Sequence, residues 1–181
     1  MKPHSFFSTA APAALLLILV SVLGAQEPNR ATPKAGVSVD EARRQARLLH
    51  EALHGALQVM HRDFFDPDER DRIPSASLED VFEVMAKERG IKLSWMGVNA
   101  TMDDAHEPTT PFEKSAAQKL EKGSPEVETV DNGWFRFVGA VQLHNQCLKC
   151  HVPYRTSLED RVAGLKIEIP IADSQRKTEP N

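Results

Sequence analysis

Residues 126–143 read EVETVDNGWFRFVGAVQL, and this stretch decides the fold class. A short run, 126–130, and a longer one rich in aromatic and β-branched residues, 133–143, flank the dipeptide Asn132-Gly133. Asn-Gly tolerates the positive φ angles that a two-residue hairpin turn requires. The stretch therefore predicts two antiparallel strands. Downstream, VAGLKIEIPI (162–171) alternates apolar and polar residues at Leu165, Ile167 and Ile169, and upstream IKLSWMGVN (91–99) alternates in the same way. Both are strand patterns.

Three helices announce themselves by their ends. The first starts at Ser38, with Glu41 placed for a capping box, and runs to about Phe65, where DPDERD breaks it. Its apolar stripe is Ala42, Ala46, Leu49, Leu53, Leu57, Met60 and Phe64, and Gly55 either weakens it or admits something bulky. The second covers 75–90, capped by Ser75 or Ser77 after Pro74, with Leu78, Val81, Phe82 and Met85 inward and Gly90 closing it. The third covers 110–123: Thr110 caps, Pro111 takes the first helical position, Glu113 completes the box and Gly123 ends it. Helices come mainly first and strands later, with too little helix between the last strands for right-handed crossovers. The expected class is α+β with an antiparallel sheet.

The chain has 181 residues, enough for one domain with a real core, and a formal net charge of -4. No basic patch with interleaved aromatic residues is present, so a nucleic-acid partner is not expected. At the N-terminus, Lys2, the apolar run AAPAALLLILVSVLGA and the small residue Ala25 read as an export signal over 1–25. An uncleaved N-terminal anchor is the alternative, and either way the domain is expected outside the cytoplasm, in the periplasm. Residues 26–37 read as a flexible leader, 38–172 as the domain, and 173–181 as a disordered tail.

The chemistry lies directly after the long strand, in HNQCLKCHVPYR (144–155), which holds both cysteines of the chain. Four readings of Cys147-Leu-Lys-Cys150-His151 compete. In a c-type haem site the two thiols add to the haem vinyl groups and the following histidine binds iron. All five positions of that pattern are present, and export supports it, because covalent attachment takes place outside the bacterial cytoplasm. A redox dithiol wants a helix after the pair to lower a thiol pKa, and Pro153 spoils that helix. A zinc site lacks a second cysteine pair. A bare disulfide would close a tiny loop and stabilise little. Covalent haem, with His151 as proximal ligand, is the favoured reading, and a periplasmic thiol-disulfide oxidoreductase using Cys147 and Cys150 is the alternative.

The iron would then have a sixth position to fill. His50, His54 and His61 lie within roughly 40° of one another around an α-helix, flanking the apolar stripe of the first helix. His61, set among apolar residues in QVMHRDFF, is favoured. His54 follows, because Gly55 could let a macrocycle approach the backbone, and then His50. Met60, Met85, Met96 and Met102 rank lower, since buried methionines usually fill cores, and an open position is the last option. His144 stands too near the attachment loop to reach the opposite face, and His106 reads as structural. Two histidines would favour a lower potential than a His/Met pair and suit outer-sphere electron transfer.

From about Ser38 to Ile171 the chain resembles the PAS-like c-type haem domain family, in WMGVN, DDAHEP, PFEKSA, WFRFVGAVQL, CLKCH and AGLKIEIPI taken in order. Members of that family occur free in the periplasm or lumen and as input domains of bacterial sensor kinases. The resemblance implies a five-stranded antiparallel sheet packed with helices and holding one haem. Members often carry an asparagine-proline loop where this chain has DDAHEP, which places His106 at an asparagine position. Some members also use a first-helix cysteine as sixth ligand, and here neither cysteine is available for that role. The functional expectation is a monohaem cytochrome that transfers electrons or senses redox state or a ligand through a periplasmic partner, and not an enzyme. No acid, base and nucleophile constellation stands out; Asp66, Asp68, Glu69 and Asp71 read as a solvated loop, without calcium-loop spacing.

Overall fold

The computed structural model describes residues 36–64, 73–100, 104–144, 147–148 and 161–172. The chain divides into two units, 1–32 and 33–181, and every described residue belongs to the second. The expected signal segment, most of the leader and the tail lie outside the described residues. The elements run α1 (Val39–Asp63), α2 (Pro74–Arg89), β1 (Lys92–Met96), a 3-10 turn (Asp104–His106), α3 (Pro111–Glu121), β2 (Glu126–Asp131), β3 (Trp134–Leu143) and β4 (Arg161–Pro170). The four strands form one antiparallel sheet in the order β1-β4-β3-β2.

The hairpin is as the sequence predicts. Asp131 pairs with Trp134, and Asn132 and Gly133 take φ of 49° and 77° between them. Alternation then splits the core between the two faces of the sheet. Phe135, Phe137, Val141 and Leu143 of β3, with Leu165, Ile167 and Ile169 of β4, meet α1 and α2. Val138 and Val162 point the other way and pack with Ala116 and Leu120 of α3. On the first face the Phe82 and Trp95 rings lie 5.1 Å apart, and the Trp95 indole N–H donates to Ser75 O, so α2 is seated on β1.

The α+β class holds, but the described residues contain four strands where the resemblance implied five. Residues 97–110, between β1 and α3, lack alternation and carry turn formers. Among the described residues there, Asp104–His106 form the 3-10 turn, and Gly97 N–H donates to His106 O at 2.7 Å. The one further pairing, between Val37 and Ile171, is an isolated parallel bridge.

The ends of the helices also sharpen the reading. The Thr110–Glu113 capping box forms in full. At α1 only half of it does: Ser38 Oγ accepts from Glu41 N–H, while the Glu41 carboxylate is taken by Arg44 and Gln45. At α2 neither serine caps; Ile73 holds that position and Pro74 opens the helix. Phe64, expected on the buried stripe, follows the last helical residue and is 81% exposed. Val81 is exposed as well, while Leu78 and Phe82 turn inward and Met85 packs against the same core.

Candidate functional site

One stripe of α1 runs along the β2–β3 hairpin, and it positions the histidines. Arg43 grips the Glu128 carboxylate through Nε and Nη2 at 2.7–2.9 Å, and Arg47 grips Glu126. Glu128 is level with Phe137 and Glu126 with Gly139, so α1 travels parallel to β3. One turn on, His50 Nε2–H donates to Ala140 O at 3.1 Å. This carbonyl stands where β2 gives out: Glu126, the first residue of β2, pairs with Gly139, and Ala140 N–H reaches back to Pro125 O. The histidine thus supplies a donor that no strand residue supplies there.

The sheet makes room for that ring. A Cβ at Gly139 would stand 2.2 Å from His50 Cδ2, so only glycine allows the close approach. The Phe137 ring meets His50 edge-on at 5.8 Å. Burial pushes the His50 pKa down, against the raising effect of its hydrogen bond to Ala140 and of Glu126.

Past His50 the stripe reaches the end of β3. His54 lies 5.5 Å from His50 between ring centroids. Its pKa is lowered first by burial, then by the charges of His50 and of His144, the residue after β3. Gln58 Nε2–H donates to His54 Nε2 at 2.8 Å. Further along, His61 Nδ1–H donates to Leu57 O at 2.9 Å, the arrangement that leaves the lone pair on Nε2. Beside this part of α1 lies a helical turn holding Cys147 and Leu148, in which Leu148 N–H donates to His144 O at 3.1 Å. Leu148 is buried and Cys147 half-buried, both in the cluster that contains Leu53 and Leu57.

The structure therefore brings His54 near His144, whose carbonyl caps the turn that holds Cys147, with His61 on the same helical stripe. Cys150 and His151, the remaining attachment residues, lie outside the described residues, as does Met102. Gly55 is exposed, and a Cβ there would meet nothing within 4 Å, so it accommodates no packed neighbour among the described residues. Met96 is 3% exposed in the core against α3, and Met85 packs on the opposite core, as core-filling methionines do. His106 sits 3.4 Å from Glu79 and serves the 3-10 turn through its carbonyl. No three His, Cys, Asp or Glu side chains converge as a metal-ion site among the described residues. Sequence reasoning ranked His50 last of the three histidines and passed over its bond to β3. The signal available was Gly139, a lone glycine inside a strand.

Residues 35–166 match the model of one protein family. The chain belongs to the Tll0287-like family. No curated protein matches it. Among solved structures it is similar to the cyanobacterial haem-protein Tll0287, with a TM-score of 0.56 and 12% sequence identity, over 74% of this chain and 98% of that one. At that identity the likeness is one of fold, and it spans nearly the whole of the Tll0287 structure.

Proposed function

We propose that this member of the Tll0287-like family is an exported monohaem c-type protein that transfers electrons, or senses redox state or a ligand, through a periplasmic partner. In this reading Cys147 and Cys150 attach the haem, His151 is the proximal ligand, and His61, ahead of His54, takes the sixth position. The observation that carries it is the course of α1. Its histidine stripe runs parallel to β3 and past the strand's end, into the same apolar cluster as the turn that begins the CLKCH motif.

The residues present suit such a group. Cys147 packs against the apolar core that includes Leu53, Leu57, Val141, Leu143 and Leu148. His61 has the tautomer that ligating histidines adopt, with Nδ1–H fixed by a backbone carbonyl. His54 must first release Gln58 from its Nε2, and His50 has Nε2–H committed to Ala140, which places it behind the other two. A bound c-type haem supplies one-electron chemistry at the iron. The chain's own contribution is to shield that group with apolar side chains and to supply imidazoles for the iron. The deduced family and the similarity to a haem-protein support this assignment.

The test is to express the exported chain with a c-type maturation system and to denature it. Haem that stays with the polypeptide supports the proposal, and loss of that haem in a Cys147→Ala/Cys150→Ala variant locates the attachment. A colourless protein with a redox-active dithiol would replace it with the thiol-disulfide reading.

A further inference from the structure

We propose that His50 is the positioning residue of the haem site: its Nε2–H bond to Ala140 O sets where the His54–His61 part of α1 lies against the end of β3. The inference rests on the haem reading above.

Three links tie this stripe of α1 to the hairpin, and they differ in kind. The Arg43–Glu128 and Arg47–Glu126 pairs join long, flexible, partly exposed side chains, and such pairs are screened by solvent and constrain position weakly. The His50 link ends on the backbone, is half-buried and is sterically exclusive. The imidazole rests against the backbone of Gly139, where a Cβ would come within 2.2 Å of Cδ2 and 2.4 Å of Nε2. Phe137 closes one side of it at 5.8 Å. Its hydrogen bond goes to a main-chain oxygen of the strand that leads, four residues on, into His144 and then Cys147. The donor cannot slide along the strand, because Ala140 is where β2 stops supplying partners. His54 follows one turn beyond this fixed point, and His61 three turns beyond it. A shift of α1 at His50 is therefore transmitted through rigid helix to both candidate ligands, while the attachment turn stays with β3.

Two kinds of measurement test this. In the haem-free protein, the nitrogen-15 side-chain spectrum should show a proton on His50 Nε2; a neutral ring protonated at Nδ1 alone would overturn the proposal. In the matured protein, His50→Leu removes the donor, Gly139→Ala crowds the ring out, and His50→Gln keeps a donor at similar reach. The Leu and Ala variants should bind carbon monoxide faster by about tenfold or more, the size expected when support of a ligand is lost. The Gln variant should keep the wild-type spectrum and rate. A haem-bearing Leu variant with wild-type spectrum and rate overturns the positioning role alone, and so does a Gln variant disturbed as much as the Leu variant. If the Leu variant fails to fold, the Gly139→Ala rate and the tautomer decide. A wild-type chain that takes up no haem after maturation overturns the haem reading itself.

Discussion

Glu113, at the start of α3, and Lys166, in the middle of β4, form an ion pair between the helix and the sheet, with only 9% and 21% of their side chains exposed. The carboxylate also accepts from Thr110 N–H at 2.9 Å, Thr109 N–H at 3.0 Å and Thr109 Oγ at 3.1 Å. One side chain thus completes the helix cap and neutralises a lysine that the sheet carries inward.

Burial alone would raise the Glu113 pKa, but Lys166 and the Thr110 and Thr109 N–H groups outweigh it and hold the carboxyl at about 2, well below the ordinary 4.5. The charged form therefore stabilises the fold above about pH 4.5, and this contribution is lost as pH falls from there through about 2. Replacing the carboxylate in Glu113→Gln leaves Lys166 without its counter-charge and should cost roughly 2–4 kcal/mol. Urea unfolding at neutral pH measures this, and the gap between wild type and variant should narrow towards pH 2. A gap independent of pH would mean that the charge is not what the variant loses.

The hairpin makes a second prediction. Gly133 has a φ of 77° in the left-handed region, where a side chain with a Cβ is strained. Gly133→Val should destabilise the protein by about 1–2 kcal/mol without altering the core. A shift in the denaturant midpoint with unchanged slope is the expected result, and an unchanged midpoint would remove the turn from the list of constraints.

These two features show why some of the structure is legible in the sequence. Asn132-Gly133 and Thr110-Pro-Phe-Glu113 are local: the backbone angle or the capping bond is decided within a few residues, so the residue pattern suffices. The alternation at Leu165, Ile167 and Ile169 also matches the core face of β4. What could not be read was competition between neighbouring side chains and long-range placement. The Ser38–Glu41 box half-fails because Arg44 and Gln45 compete for the carboxylate, and Phe64 leaves the stripe because the helix ends before it. The His50 bond depends on where β2 stops against β3 and on the direction in which α1 crosses, neither of which any local pattern contains. In the candidate site, the donor types were visible as CLKCH and a histidine stripe, but their relative placement had to come from the fold.

The core allows a third prediction. Phe137 is 1% exposed and faces α1, with His50 edge-on against its ring. Phe137→Leu keeps most of the apolar volume and should cost less than about 1.5 kcal/mol, whereas Phe137→Ala should cost roughly 3–5 kcal/mol. The Ala variant should also lose the Nε2–H signal of His50, because the ring would gain a cavity to rotate into. Preservation of that signal would show that the Ala140 bond alone holds the imidazole.

A fourth prediction concerns the two ligand candidates. In the matured protein His61→Ala should convert the low-spin spectrum expected of two nitrogen ligands to high-spin, while His54→Ala should leave it low-spin. Both rings carry the lone pair on Nε2; His61 has its Nδ1–H fixed on Leu57 O, and His54 would have to give up the bond from Gln58 to bind iron. Spectra of the two variants, oxidised and reduced, give the answer directly. A high-spin His54→Ala beside a low-spin His61→Ala would reverse the order and require the Gln58 contact to open on haem binding.

The last prediction is the pH dependence of the haem-free protein near neutrality. His50 and His54 both have pKa values lowered from the ordinary 6.5, in each case first by burial, and for His54 also by the charges of His50 and His144. In the unfolded chain each ring gains its proton as pH falls through 6.5, while in the fold each resists until lower pH. Over that interval the unfolded chain holds more protons, so stability present above 6.5 must decline as pH falls. Urea unfolding free energies should be lower at about pH 5.5 than at about pH 7.5, before the Glu113 carboxylate begins to titrate. Replacing both rings, as in His50→Gln/His54→Gln, removes these protons from the balance and should flatten that part of the curve. The double variant is informative because Gln at position 50 keeps a donor for Ala140 O, so the fold it reports on is the same one. A slope identical to the wild type would show that other groups, not these two imidazoles, govern stability in this range.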